Sequence, residues 1–97
     1  MRRSKLETYV KILKVLAHKS PLKPTHIMQQ ANVNCSVLKK YLSFLSTEGV
    51  VEERTIGGTR VVYTITQRGV IALKYFRELN QVLAIPEEDN SNIPYLY

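Results

Sequence analysis

The sequence has little of what braces or arms many small proteins. Cys35 is the only cysteine in 97 residues, so no disulfide can form within the chain and a reducing compartment is the expected setting. Tryptophan is absent and phenylalanine occurs twice, and no segment sets a Lys/Arg-rich face against bulky aromatics as a membrane-surface helix does. No apolar run approaches the roughly 18 residues of a membrane span. Arg2-Arg3 is not followed by the apolar core of a secretory signal. The expectation is a soluble, cytoplasmic protein.

Groups for chemistry are equally scarce. His18, His26 and one cysteine have no metal-ligand spacing. There is no Ser/His/Asp set, no pair of carboxylates in an apolar stretch, and no phosphate-cradling loop beyond a single Gly57-Gly58 turn. Cys35 falls in the first turn of a helix and reads as a small residue near a cap rather than a redox switch. A domain this short buries only about 60–65% of its unfolded surface, too little to wall in a substrate cleft as well. The expectation is no catalytic residue, no metal and no cofactor.

Acidic residues are the scarcer charge, 8 against 14 Lys and Arg, for a net +6. Residues 1–40 carry nine basic side chains and one acid, net +8; residues 41–97 carry five basic and seven acidic, net −2. A positive region so concentrated favours a polyanion, because neutralising phosphates releases condensed counterions.

The order of elements is marked by local chemistry. Ser4-Lys5-Leu6-Glu7 is a capping box, and Leu6, Tyr9, Val10, Leu13, Leu16 and Ala17 follow at helical spacing until Ser20-Pro21 ends the helix. Pro24 suits the first turn of a short second helix with Ile27, Met28 and Ala31 on its apolar face. Asn32-Val33-Asn34 is a turn, Asn34 an N-cap, and Val37, Leu38, Tyr41, Leu42 and Leu45 the buried stripe of a third helix ending near Gly49. The period then drops to two. Val50–Ile56 and Thr59–Ile65 read as strands joined by the two-residue turn Gly57-Gly58, which pairs Ile56 with Thr59 and Val50 with Ile65. Val50, Val61, Tyr63 and Ile65 form the face that covers the helices. Thr66 caps a last helix that ends before Pro86.

Three helices, a Gly-tipped hairpin and a helix give a mainly α fold with a small β-hairpin: a winged helix-turn-helix followed by a dimerisation helix. The expected organisation is a DNA-binding unit over 1–66, a dimerisation helix over 67–85 in the same domain, and a flexible acidic and polar tail over 86–97. In such a fold the third helix enters the major groove. Removing its buried stripe leaves Ser36, Lys39, Lys40, Ser43 and Thr47 on one face. Small hydroxyls let the backbone approach a groove, and lysines reach phosphates or guanine edges. Arg54 and Arg60 flank the hairpin tip, where they suit a DNA backbone or minor groove or simply defend a sheet edge. Glu52 and Glu53 stand further from the tip. Arg2, Arg3 and Lys5 form a basic arm. In the last helix Leu73, Phe76, Leu79 and Leu83 are the expected dimer contacts, with Val70 and Val82 in the same stripe; the alternative is that the stripe packs on the first helix of its own chain, and the first turns can serve the core while the last serve the partner.

Arg3-Ser4-Lys5-Leu6-Glu7, Ile27-Met28, Ala31-Asn32-Val33-Asn34, Tyr41, Leu45 and Tyr63-Thr64-Ile65-Thr66 with Gly69 together resemble the small archaeal winged-helix DNA-binding proteins of about ten kilodaltons. The resemblance covers residues 3–83. It implies duplex DNA binding without catalysis, in chromatin packaging or transcriptional control, and a homodimer joined by an antiparallel coiled coil of C-terminal helices. Two features depart from that pattern: Pro86 cuts the last helix short, and the hairpin has its own Gly57-Gly58 tip. The expected partner is double-stranded DNA, and the expected place the nucleoid. A transcriptional regulator is the first reading; a sequence-independent chromatin protein and a protein–protein module are the alternatives.

Overall fold

The computed structural model describes residues 4–83; Arg2, Arg3 and the tail expected over 86–97 lie outside the described residues. Ser4 opens helix α1 (Lys5–His18) as a reciprocal cap. Its hydroxyl accepts from the Glu7 amide at 3.1 Å while the Glu7 carboxylate accepts from the Ser4 amide at 2.8 Å. The helix touches α2 (Pro24–Ala31), β2 (Arg60–Ile65) and α4 (Gln67–Leu83), so it is covered on more than one side. That explains why Ile12 is buried beside Val10, Leu13 and Leu16, whereas Leu6 and Ala17, expected in the stripe, are exposed.

Helix α2 opens with Pro24 in its first turn, where a missing N–H costs no bond. It buries Ile27 and Ala31 completely and ends at Asn32, whose φ of 58° is the left-handed conformation that stops a helix. Two residues later Asn34 Oδ1 accepts from the Val37 amide at 2.9 Å and starts α3 (Cys35–Thr47). Leu38, Leu42 and Leu45 of α3 point into the core, where Ile12, Leu16, Ile27 and Leu38 are the largest side chains fully enclosed. Gly49, with φ 78°, turns the chain out of α3 as expected.

The hairpin differs from expectation by one residue. Strand β1 (Val51–Ile56) pairs antiparallel with β2, Val51 opposite Ile65 and Ile56 opposite Arg60. The loop is therefore Gly57-Gly58-Thr59, not Gly57-Gly58 alone. A one-residue slip moves a whole strand to its other face, and the core decides which register holds. Val51 is 2% exposed, while Val50 is only half-buried and supplies backbone bonds at the strand's entry. Tyr63 and Ile65 pack on the core as expected. A short extended piece at Leu22 also joins β2, with Leu22 and Tyr63 exchanging backbone hydrogen bonds of 2.9 and 2.8 Å.

Helix α4 begins where α3, β1 and β2 converge. Thr66 accepts from the Gly69 amide through its hydroxyl at 3.0 Å, and that same hydroxyl donates to the Gly49 carbonyl at 2.7 Å. The Thr66 amide donates to the Val50 carbonyl at 3.1 Å. Gly69 lies against this knot. A Cβ there would stand 2.6 Å from Ile65 Cγ1 and closer still to the Val50 carbonyl oxygen, which cannot rotate away. Gly69→Ala adds about 1 kcal/mol of helix propensity but forces backbone apart. The expected net result is a loss of about 1–3 kcal/mol, measured as a lower urea midpoint; an equal or higher midpoint would show that α4 does not need this close approach.

Candidate nucleic-acid interface

Helix α3 presents one polar face. Ser36, Lys39, Lys40, Ser43 and Thr47 are all exposed, opposite the Leu38/Leu42/Leu45 stripe that anchors the helix. No carboxylate pairs with Lys39 or Lys40 among the described residues. Both ammonium groups are therefore available to an external anion without breaking an internal bond. The hydroxyls on the same face are partly committed. Ser36 Oγ donates to Asn34 Oδ1 at 3.0 Å as part of the helix cap, and Thr47 Oγ1 donates to the Ser43 carbonyl at 2.9 Å. Each keeps acceptor capacity, but its proton is engaged.

The corrected register also sets the hairpin. Directly paired residues share a face, so Glu52, Arg54 and Ile56 lie with Arg60, Val62 and Thr64 on the side away from the Val51–Ile65 pair. Arg54 and Arg60 thus share the tip, with the half-exposed Ile56 between them. Glu52, opposite Thr64, stands further from the tip as expected, but it shares the face of Arg54 rather than turning away from it. Its carboxylate accepts from Arg54 Nη2 at 3.2 Å, because i and i+2 of a strand point the same way. Both side chains are more than half exposed, so the pair is weak and easily exchanged for another anion. Glu53 faces the core side, where its carboxylate accepts from the Tyr63 hydroxyl at 3.1 Å. Burial, then that hydrogen bond and the carboxylate's charge, raise the Tyr63 phenol above its ordinary value. A groove of about 320 Å³ runs between α3 and the hairpin, with Lys39, Ser43 and Thr47 on one wall and Glu53 and Tyr63 on the other.

Lys5, the described member of the basic arm, is exposed in the first turn of α1. The α4 residues divide. Leu73 is buried in the core of its own chain and Phe76 packs against that core, so Leu73 is not available to a partner. Leu79 and Leu83 are exposed, as a dimer contact requires. Ile71 and Tyr75, absent from the expected dimer contacts, complete an exposed apolar row with Leu79 and Val82. Phe44 on α3, also absent from the expected sites, is 45% exposed and stacks on Tyr9 with ring centroids 4.9 Å apart. The signal for the α4 row is its spacing at i, i+4, i+8 and i+11; Phe44 has none beyond its own hydrophobicity.

Among the described residues no three His, Cys, Asp or Glu side chains gather in a metal-binding group. No described helix is long and apolar enough to cross a membrane.

A helix-turn-helix over α2 and α3, a β-hairpin and a closing helix define a winged helix. The sequence matches the winged helix-turn-helix family over residues 2–84, and the chain belongs to that family. The structure is similar to Sso10a-2, a DNA-binding protein from Sulfolobus solfataricus, with a TM-score of 0.72 and 25% identity over 84% of this chain and 83% of that one. A MarR-family transcriptional regulator from Silicibacter pomeroyi has a TM-score of 0.71 at 18% identity, covering 78% of this chain and 52% of its own. The regulator BldR from Sulfolobus solfataricus has a TM-score of 0.66 at 22% identity, covering 84% and 63%. This chain therefore spans less than two thirds of either regulator, and the likeness to those two is one of fold. No curated protein sequence matches it.

Proposed function

We propose that the chain binds double-stranded DNA, with α3 in the major groove and the hairpin on the adjacent backbone, and acts as a transcriptional regulator in the form of a homodimer. The observation that carries this reading is the polar face of α3, where Lys39 and Lys40 stand exposed and without a carboxylate partner among the described residues. The similarity to a Sulfolobus DNA-binding protein and to regulators of the same fold supports it. In this reading Arg54 and Arg60 grip phosphates from the tip, and Arg2, Arg3 and Lys5 add sequence-independent attraction.

A second reading, a chromatin protein with little sequence preference, is favoured by one detail. The protons of the Ser36 and Thr47 hydroxyls are spent on the chain itself, which leaves the face richer in phosphate-seeking lysine than in free base-reading donors. Titration of a random duplex against one enriched by selection separates the two readings. A preference above about 10³-fold marks a regulator.

The dimer rests on α4. Ile71, Tyr75, Leu79 and Val82 are 43%, 65%, 48% and 79% exposed, a spacing of four, four and three that keeps one side of a helix toward a partner. A row of this size left in water invites association. Residues 1–66 then hold the DNA-binding unit, while α4 serves its own core through Leu73 and Phe76 and the partner through the opposite side.

Lys39→Ala with Lys40→Ala is expected to weaken duplex binding and to flatten the salt dependence by about 0.9 for each phosphate left unneutralised. An unchanged slope and affinity would remove α3 from the interface. Arg54→Gln with Arg60→Gln should lower affinity for all duplexes alike, since backbone contacts position without specifying; loss of discrimination with random-duplex binding intact would make the hairpin a base reader instead. Leu79→Glu with Val82→Glu, both on the exposed side, should give a folded monomer that binds DNA more weakly for want of a second half-site. Sedimentation of the wild-type chain across micromolar concentrations is the direct check, and a monomer throughout would overturn the dimer.

A further inference from the structure

The groove between α3 and the hairpin sets two opposite charges on opposite walls. Lys39 stands on the α3 wall and Glu53 on the β1 wall. Both residues are exposed, and no ion pair joins them. The Glu53 carboxylate accepts from the Tyr63 hydroxyl through Oε1, and an ionised carboxylate has acceptor capacity beyond that one bond. Ser46 lines the same groove, and its hydroxyl oxygen is buried with no hydrogen-bond partner. A buried hydroxyl left in this state is costly and calls for an explanation. Pro24, Met28 and the Tyr63 ring add half-buried apolar surface to the lining.

We infer that this groove is a binding site for a free α-amino acid with a large apolar side chain. Each part of such a molecule meets a group of its own here. Its carboxylate suits the Lys39 ammonium and its ammonium suits the Glu53 carboxylate. Its side chain suits the surface of Pro24, Met28 and Tyr63. A turn about χ1 of Ser46 gives that hydroxyl the ligand carboxylate to donate to. The volume of about 320 Å³ stands at the low end of small-molecule sites, about 300–1,000 Å³, which favours a ligand of amino-acid size over a larger one. The two walls also select against ions of one sign. A simple carboxylate that reached Lys39 would face Glu53, and a simple amine that reached Glu53 would face Lys39. A zwitterion satisfies both. Its binding would engage Lys39 and so withdraw it from duplex DNA. That consequence rests on the proposed DNA-binding reading, whereas the site itself does not.

The test is a titration of L-phenylalanine into the full chain without DNA, followed by calorimetry and by nuclear magnetic resonance of labelled protein. The expected result is one saturable site with a Kd on the order of 1 mM or tighter, with the largest shifts at Met28, Ser46 and Tyr63. Phenylpropionate, which lacks the ammonium, and phenylethylamine, which lacks the carboxylate, should each bind at least about tenfold more weakly, the worth of one charge-assisted hydrogen bond. Lys39→Gln and Glu53→Gln should each weaken L-phenylalanine binding to a similar degree. Ser46→Ala should also weaken it, yet leave the urea midpoint of the free protein equal or higher, because the hydroxyl removed has no partner there. That pair of readouts separates a lost ligand contact from a lost fold. Glu52→Gln, on the other face of the strand, should bind as the wild type does. Equal binding of either analogue, shifts centred away from the groove, or no saturation at concentrations on the order of 10 mM would overturn the proposal. If L-phenylalanine binds as expected but duplex affinity is the same with and without it, the amino-acid site stands and the place of Lys39 in the DNA interface falls.

Discussion

The architecture turns on the contact between the first turn of α4 and the link from α3 into β1. Thr66 ties three pieces of backbone together: its hydroxyl holds the Gly49 carbonyl and the Gly69 amide, and its own amide holds the Val50 carbonyl. Gly69 is the residue that lets the helix come this close, because any side chain would occupy the space of the Val50 carbonyl and Ile65. With that contact made, the end of α3, both strands and the start of α4 have one relative placement. The polar face of α3 and the arginines of the hairpin owe their arrangement to it.

Charge is distributed by the same economy of structure. A small core needs its few polar partners for capping and for holding strands, and the carboxylates near the hairpin are used that way. Glu53 takes the Tyr63 hydroxyl and Glu52 the Arg54 guanidinium, while Glu7 closes the cap of α1. None of them reaches Lys39 or Lys40. The Arg54–Glu52 pair is solvent-exposed, and its net worth is on the order of 0–1 kcal/mol, so a phosphate oxygen competes with Glu52 at little cost. The α3 lysines have no such competitor to displace among the described residues.

The features legible in the sequence were those decided within a few residues. The Ser4–Glu7 box, the Asn34 cap, the positive φ at Gly49 and the Thr66 cap all depend on chemistry within one turn of the backbone, and the structure has each of them. What was not legible depended on distant parts of the chain. Val50 and Val51 offer equal hydrophobicity, and only the core shows that Val51 is the one enclosed; the strand register and the side taken by Glu52 follow from that choice. Leu22 adds to the sheet because Tyr63 reaches it, a contact between distant parts of the chain; of its neighbours only Lys23, which precedes Pro24, was already biased toward extended backbone. Helix α4 has apolar residues around most of its circumference, so its sequence alone did not say that Leu73 faces inward and Tyr75 outward.

That division of α4 bears on how a dimer would use its DNA site. One side of the helix is held by its own domain through Leu73, Phe76 and the Gly69 contact, and the other side, from Ile71 to Val82, is exposed among the described residues. A helix clamped in this way cannot rotate about its axis to suit a partner without breaking the Thr66 knot that also fixes α3. In the proposed dimer the angle at which two α4 helices cross would therefore set the separation of the two α3 helices with little slack between them. Half-sites on DNA must then be spaced by whole helical turns, about 34–36 Å or multiples of it, for both α3 helices to enter the major groove from one face. Residues at the dimer seam would thus tune site spacing without touching DNA, and the Gly69–Val50 contact is the joint through which they would do so.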